Sequence, residues 1–408
     1  MRLILFLIIL LLIDLYAFQA FRAVVPGNKQ WKVLLYGMYT SVSIVAFLYI
    51  LGGSQDWFEG WSKNTHIYFR AFVFILFFSK LFVALMMGID DVRRFIALII
   101  NYFSTSSTYD IGRSRFLSLV GIMLGVIPFV SLTYGILRNP YRYRLHRHTV
   151  RLKGLPALLD GLRIVQISDI HAGSFTFKNP IKNGIELINE QEPDIVFFTG
   201  DLVNSISSEM EPYIDIFQEI RSKYGIFSIL GNHDYGDYHR WDSEEAKKEN
   251  FRLLETIHRK LGWHLMKNES HVLEINGAKL AIIGVENYST LPHFKKYGDL
   301  ELAVNGVEEV PFKVLLSHDP THWSAQVTQD FKEIGLTLSG HTHGFQFGIE
   351  IPGWIKWSPG KYIYKHWAGL YQEDEQYLYV NRGFGVLGYP GRVGILPEIT
   401  LLELKSAS

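Results

Sequence analysis

The 408-residue chain contains no cysteine. Disulfides, thiolate nucleophiles and thiolate metal ligands are therefore excluded, and a metal site would have to be built from His, Asp, Glu, Asn and water. Net charge is missing too. The 40 Lys and Arg balance 40 Asp and Glu, so no overall field gathers nucleic acid, which is not expected as a partner. Long apolar runs are absent after about residue 138, where charges and turns mix as in a soluble domain.

Before that point apolar runs dominate. The stretches 3–21, 33–51, 67–88 and 116–137 each approach the roughly 20 residues needed to cross a bilayer. The expectation is a multi-pass membrane domain of four helices over 1–138, a basic linker and first strand over 139–161, and a soluble domain over 162–408. A cleaved leader is disfavoured, because the first run is too long, no small-residue cleavage site follows, and three more spans do. Asp14 and Lys80 lie inside spans, where charge is costly, and the sequence offers no reason for either. Four spans put the N-terminus and the soluble domain on one side. Short-loop charges lean toward an extracytoplasmic domain, and counting the basic run 138–153 reverses that.

The soluble part repeats one pattern. "LRIVQISD" (162–169), "DIVFFTGD" (194–201) and "GIFSILGNHD" (225–234) are short β-branched and aromatic runs closed by polar residues, as in buried strands of an α/β sheet. Helices are expected over about 179–192, where Ile181, Ile185 and Ile188 recur at helical spacing, over 208–223 and over 243–260. Later runs read mostly as strands. Asp169, Asp201, Asn232, His318 and His341 all stand at or just past the end of an apolar run, where open α/β sheets bind ligands. Singly, each reads as a turn or cap residue. Together they gain weight from the pairs Asp169/His171 and His341/His343, since residues two apart in extended chain share a face. A second His-x-His pair, His146 and His148, reads as a solvated basic stretch. The seven donors are too many for one tetrahedral ion and suit two divalent ions sharing a carboxylate.

The ordered motifs "SDIH", "GDLVN", "GNHD", "SHDP" and "GHTH", with the ending "NRGFGVLGYPGRVGILPEITLLEL", resemble the calcineurin-like metallophosphoesterases, in particular a membrane-anchored branch. The resemblance covers about residue 163 to the C-terminus. It implies a four-layer α/β/β/α sandwich behind the four-helix transmembrane region, and a metal-dependent phosphoric ester hydrolase. It further implies two divalent ions (Mn, Fe or Zn), with Asp169, His171 and His343 on one, Asn232, His318 and His341 on the other, and Asp201 bridging. The reaction implied is attack of a metal-bridging hydroxide on a phosphodiester or phosphomonoester, with His233 as general acid. Relatives that are protein phosphatases carry G-D-x-x-D-R-G, whereas this chain has Asn204 and Ser205 there. Asn204 can hold the His233 ring but adds no charge, which weighs against a protein substrate.

The stretch 345–371 is dense in aromatics. It reads either as cover for the core or as a wall for a lipid group, with Trp354, Trp357 and Arg382 as candidate substrate contacts. The expected partners are the bilayer and a phosphoester of a lipid or lipid-linked molecule. Two other readings are a pyrophosphohydrolase acting on UDP-diacylglucosamine, the lipid A precursor, and a non-enzymatic transport or assembly protein with a metal-binding sensor domain. The presence of His233, which is not a ligand, favours chemistry over sensing.

Overall fold

The computed structural model describes residues 2–25, 27–53, 55–104, 109–351 and 353–407. Met1 and Ser408, which bound the expected domains, are not among them. The chain divides into two compact units, Met1–Gly135 and Ile136–Ser408.

The first unit has four helices, α1 (Arg2–Val24), α2 (Lys29–Gly53), α3 (Lys63–Phe103) and α4 (Arg115–Leu137), each long and apolar enough to span a membrane. At 23 residues, α1 and α4 reach ~34 Å, just over the ~30 Å hydrocarbon core. The third helix runs 41 residues, about 60 Å, well beyond the expected span 67–88. It continues because "IDDVRRF" contains no breaker and closes i,i+3 ion pairs, Arg93 to Asp90 at 2.8 Å and Arg94 to Asp91 at 2.9 Å. Against α3, α4 presents Gly121 and Gly125. A Cβ on Gly125 would lie 2.6 Å from Val83 Cγ2, so the backbones approach as small-residue pairs allow. Asp14 and Lys80, unexplained in the sequence, pair with each other at 2.5 Å.

The second unit is a sandwich of two six-stranded sheets. Its strands are β1 (Arg144–Leu152), β2 (Arg163–Ile167), β3 (Ile195–Phe198), β4 (Ile226–Ser228), β5 (His264–Leu265), β6 (Glu269–Ile275), β7 (Ala278–Gly284), β8 (Lys313–Leu316), β9 (Ile334–Ser339), β10 (Ile349–Ile351), β11 (Ile355–Trp357), β12 (Gly369–Glu373), β13 (Gln376–Val380) and β14 (Glu398–Ser406). One sheet runs β1-β14-β2-β3-β4-β5, the other β12-β13-β9-β8-β7-β6, and β10-β11 form a separate hairpin.

Alternation along each strand divides the core. Ile164, Ile195 and Phe197 meet Ile282, Val314 and Leu336 between the sheets, while Val165, Val196 and Phe198 face outward onto Ile181, Ile185, Leu254 and Ile257. The latter belong to α5 (Lys178–Asn189) and α7 (Glu244–Leu261). Helix α7 forms where expected because Ser243 caps Ala246 N, Glu244 and Glu245 occupy the first turn, and Gly262 closes it at φ 74°. The other sheet's outer face is covered by Leu300, Ala303, Trp323 and Val327. The result is the four-layer α/β/β/α arrangement.

Two expectations need correction. The helix over 208–223 is only the four-residue α6 (Ile214–Phe217) behind two 3₁₀ turns, Ser207–Glu209 and Glu211–Tyr213. Pro212 lacks the N–H needed to continue a helix through the segment. The basic segment 139–161 carries the expected first strand, β1, which pairs in parallel with β14 along its whole length, so the solvated reading of its histidine pair does not hold. His146 and His148 are half-buried on it rather than solvated, and the His148 ring lies 5.2 Å from Tyr379.

Parallel pairing of β2, β3 and β4, and of β7, β8 and β9, brings the C-terminal ends of the inner strands to one edge. Gln166 of β2 donates to Ser339 O of β9 at 2.9 Å and ties the sheets there. Gly200, at φ 92°, leaves β3 so close to the next loop that a Cβ would lie 2.5 Å from Gly231 N. We expect Gly200→Ala to cost on the order of 2–3 kcal/mol, read as a fall of several degrees in the melting temperature of the catalytic domain. An unchanged melt would contradict this close approach.

Candidate active site

The ligand candidates sit just past the strand ends, in turns. Asp169 (φ 51°), His171 (φ 45°), Asp201 (φ 61°), His341 (φ 70°) and His343 (φ 51°) all have left-handed backbone. The expectation that each i,i+2 pair shares a face of an extended strand is therefore wrong, because β2 ends at Ile167 and β9 at Ser339. What brings the side chains together is the turn itself, at a strain of ~1–3 kcal/mol per residue. Backbone donors hold the turns. His341 N donates to Asp169 Oδ2 at 2.9 Å, and His233 N to Asp201 Oδ1 at 2.8 Å.

Six of the seven expected ligands fall into two groups of donor atoms, and Asn232 lines the same cavity as Asp201, His341 and His343. Asp169, His171 and His343 form one group of donor atoms, and Asp201, His318 and His341 another. Asp201 Oδ2 stands between them, 3.4 Å from His171 Nε2 and 3.2 Å from His318 Nε2. His343 Nε2 is 3.2 Å from Asp169 Oδ1, and His341 Nδ1 is 3.2 Å from His318 Nε2. Both ring nitrogens of His171, Nε2 of His343 and Oδ1 of Asn232 are buried without a hydrogen bond. Buried polar atoms are rarely left so, and their convergence fits a pair of divalent ions. The outer nitrogens are already held, His318 Nδ1 against Thr199 O at 2.7 Å and His341 Nε2 against Tyr364 OH at 2.9 Å.

Electrostatics separates the imidazoles. Burial disfavours charge on His318, yet the Asp201 carboxylate outweighs it and raises the ring to about 10. His171 is raised for the same reason. Burial keeps His343 well below the usual imidazole value, helped by His171 and Arg392, and it lowers His341 against the pull of Asp319. Asp201 is held far below the ordinary carboxylate range, since His318 and His233 overcome its burial.

His233 lines the same pocket but stands apart from both donor groups. Its Nδ1 lies 2.7 Å from Asn204 O. A carbonyl only accepts, so Nδ1 carries the proton and Nε2 is left for the pocket. Burial lowers its pKa despite Asp201. Asn204 thus acts through its main chain rather than its side chain, whose Oδ1 is buried and unpaired. Asp234, not singled out from the sequence although it closes "GNHD", organises both metal loops. Its carboxylate accepts from Asp201 N (2.9 Å), Leu202 N (2.8 Å), Val203 N (3.3 Å) and Gly231 N (2.9 Å).

A cavity of about 330 Å³ opens over the cluster. It is bounded by Asp201, Asn232, His233, His341 and His343 and by apolar Leu291, Phe294, Phe345, Ile363 and Leu387. The three substrate contacts expected from sequence are not among its walls. Arg382 is 3% exposed and spans Glu398 at 2.5 Å and Glu350 at 2.6 Å, the partners a buried guanidinium requires. Trp354 sits in the turn of the β10-β11 hairpin, 81% exposed, and Trp357 follows on β11. Instead Phe294 packs its ring 4.7 Å from His341, beside His293. Tyr364 belongs to the aromatic stretch 345–371, whereas nothing near Phe294 in sequence marks it and the fold alone delivers it.

Residues 162–345 match the family described as calcineurin-like phosphoesterase, and residues 1–140 match "Probable Calcineurin-like phosphoesterase, transmembrane domain". The chain is 29% identical over 295 residues to the uncharacterized metallophosphoesterase YkuE of Bacillus subtilis, covering 70% of this chain and 96% of that protein. It is 28% identical over 292 residues to the transmembrane protein with metallophosphoesterase domain of Danio rerio, covering 69% of this chain and 62% of the relative. An uncharacterized metallophosphoesterase of Campylobacter jejuni is 26% identical over 407 residues, 98% of this chain and 97% of its own. Fold, site and relatives define a metal-dependent phosphoric ester hydrolase with a multi-pass membrane region. Residues 162–345 are thus identified as a calcineurin-like phosphoesterase domain, and residues 1–140 as the transmembrane domain described for such proteins.

Asp234→Ala would leave four buried N–H groups without their acceptor, each worth ~1 kcal/mol or more. The expected outcome is a clear drop in melting temperature together with loss of bound metal by elemental analysis, although Asp234 contributes no ligand atom. Full metal retention would deny it this role.

Proposed function

We propose that this metallophosphoesterase hydrolyses the phosphoester of a lipid or lipid-linked molecule. The observation that carries the reading is the mixed lining of the cavity, where metal-competent donors and His233 share the walls with apolar Leu291, Phe294, Phe345, Ile363 and Leu387. Each methylene buried on such a wall contributes ~0.8 kcal/mol, so a few methylenes next to the phosphate favour a lipid over a bare nucleotide.

Asp169, His171 and His343 would hold one cation, Asn232, His318 and His341 the other, with Asp201 between. Two divalent ions, of Mn, Fe or Zn by the sulfur-free donor set, would supply a water acidic enough to attack at neutral pH and positive charge for the phosphate oxygens. His233, oriented by Asn204 O and kept neutral by burial, takes up a proton when the phosphate anion arrives. Its Nε2–H then passes that proton to the leaving oxygen. Phe294 and Tyr364 exclude water beside His341.

His233→Ala should lower kcat by ~10²–10⁴ with metal content unchanged. Asn204→Ala should stay within a few-fold of wild type, because the carbonyl that orients His233 is retained. A comparable loss in Asn204→Ala would return the role to its side chain. For the substrate, full-length protein in detergent with Mn and a phospholipid extract is followed by phosphorus NMR, with Asp201→Asn as the blank. Disappearance of one lipid signal with wild type alone supports the reading. An unchanged spectrum beside turnover of a chromogenic diester would reject a phospholipid substrate, and loss of a diphosphate signal from an added nucleotide-linked lipid would point to the pyrophosphohydrolase.

A further inference from the structure

The membrane unit contains a polar cluster that the phosphoesterase chemistry does not use. Asp14 of α1, Ser43 of α2 and Lys80 of α3 are 8%, 4% and 7% exposed. Lys80 Nζ donates to Asp14 Oδ1 at 2.5 Å and to Ser43 Oγ at 2.8 Å, and Ser43 Oγ in turn donates to Asp14 at 2.8 Å. Tyr39 OH bonds Asp14 O at 2.9 Å, and its ring lies 4.2 Å from the Lys80 ammonium. A helix staple would explain this much, since the two charges cancel.

It does not explain what adjoins the pair. A cavity of about 170 Å³ reaches Lys80 and Ser79, walled by Phe21, Val83, Ile122 and Phe129. Ser79 is 7% exposed, and its hydroxyl is buried with no hydrogen-bond partner. Hydroxyls elsewhere in these helices satisfy themselves on the i−4 carbonyl, as Thr40 does on Tyr36 O and Ser118 on Ser114 O. Ser79 does not. An ammonium has three N–H donors, and Asp14 and Ser43 occupy two of those on Lys80.

We propose that this cavity is a binding site for a neutral lipid, whose hydroxyl or ester carbonyl oxygen accepts from Ser79 and Lys80 while its hydrocarbon fills the apolar walls. The balanced Asp14–Lys80 pair decides the class. A phosphate would bring uncompensated charge to the middle of a span, at a cost of several kcal/mol, whereas a neutral oxygen satisfies donors that are otherwise left unpaired. The site does not depend on the identity of the hydrolysed substrate.

The test uses full-length protein in phosphatidylcholine nanodiscs with a trace of diacylglycerol bearing a diazirine in its acyl chain. Irradiation is followed by mass mapping of labelled peptides. The expected label concentrates on the α1, α3 and α4 peptides around the cavity, is competed by unlabelled diacylglycerol but not by phosphatidic acid, and falls at least about fivefold in Ser79→Ala and in Ile122→Trp, which narrows the cavity. Ser79→Ala leaves the ion pair intact, and unchanged hydrolysis of a soluble chromogenic diester confirms that each variant is folded. Label spread evenly over the four helices, label indifferent to both variants, or equal competition by phosphatidic acid would each overturn the proposal.

Discussion

The carboxylate of Asp201 lies within 3.4 Å of His171 and 3.2 Å of His318, so it meets one imidazole that follows β2 and one that follows β8, strands of opposite sheets. Its own position is set by two other groups. The His233 amide binds Oδ1, and the Asp234 carboxylate binds the Asp201 amide. Most of the site follows from this meeting point. The parallel strands must end level, the sheets must be tied at Gln166 and Ser339, and the backbone must turn left-handed at once to aim each donor inward. The strain in those turns persists because neighbouring hydrogen bonds over-determine them.

The same residues explain why acid chemistry and metal binding can coexist in one cluster. Asp201 raises His318 and His171, while burial lowers His343, His341 and His233. A cation bound by the raised rings would have to displace their protons, because a coordinating imidazole is neutral. The His233 ring lies outside the donor groups, and the Asn204 carbonyl holds its Nδ1, so Nε2 is the nitrogen left toward the cavity.

The two units handle charge differently. In the sandwich, Arg382 is neutralised by Glu398 and Glu350, which takes it out of reach of substrate. In the membrane helices Lys80 is neutralised by Asp14 yet retains donor capacity next to a cavity. Arg382 and Lys80 are each paired with carboxylates, whereas His171, His343 and Asn232 in one unit and Ser79 in the other keep buried polar atoms without a hydrogen bond.

The sequence alone determined the four apolar spans, the strands of the first half, helix α7 and which donor residues follow the strand ends. Those depend on local composition, capping and motif order, which need no knowledge of the rest of the chain. It misjudged 208–223, where Pro212 interrupts the helix, and it assigned the wrong geometry to His341 and His343, because alternation holds only while a strand lasts. Tertiary structure alone decided the rest. Arg382 became structural because Glu350 and Glu398 come to it from distant segments, and Phe294 became a pocket wall because a loop more than 40 residues from the "GHTH" motif folds over His341. Asp14 and Lys80 lie 66 residues apart, and only helix packing brings them together, because a low-dielectric interior tolerates such charges only as a pair.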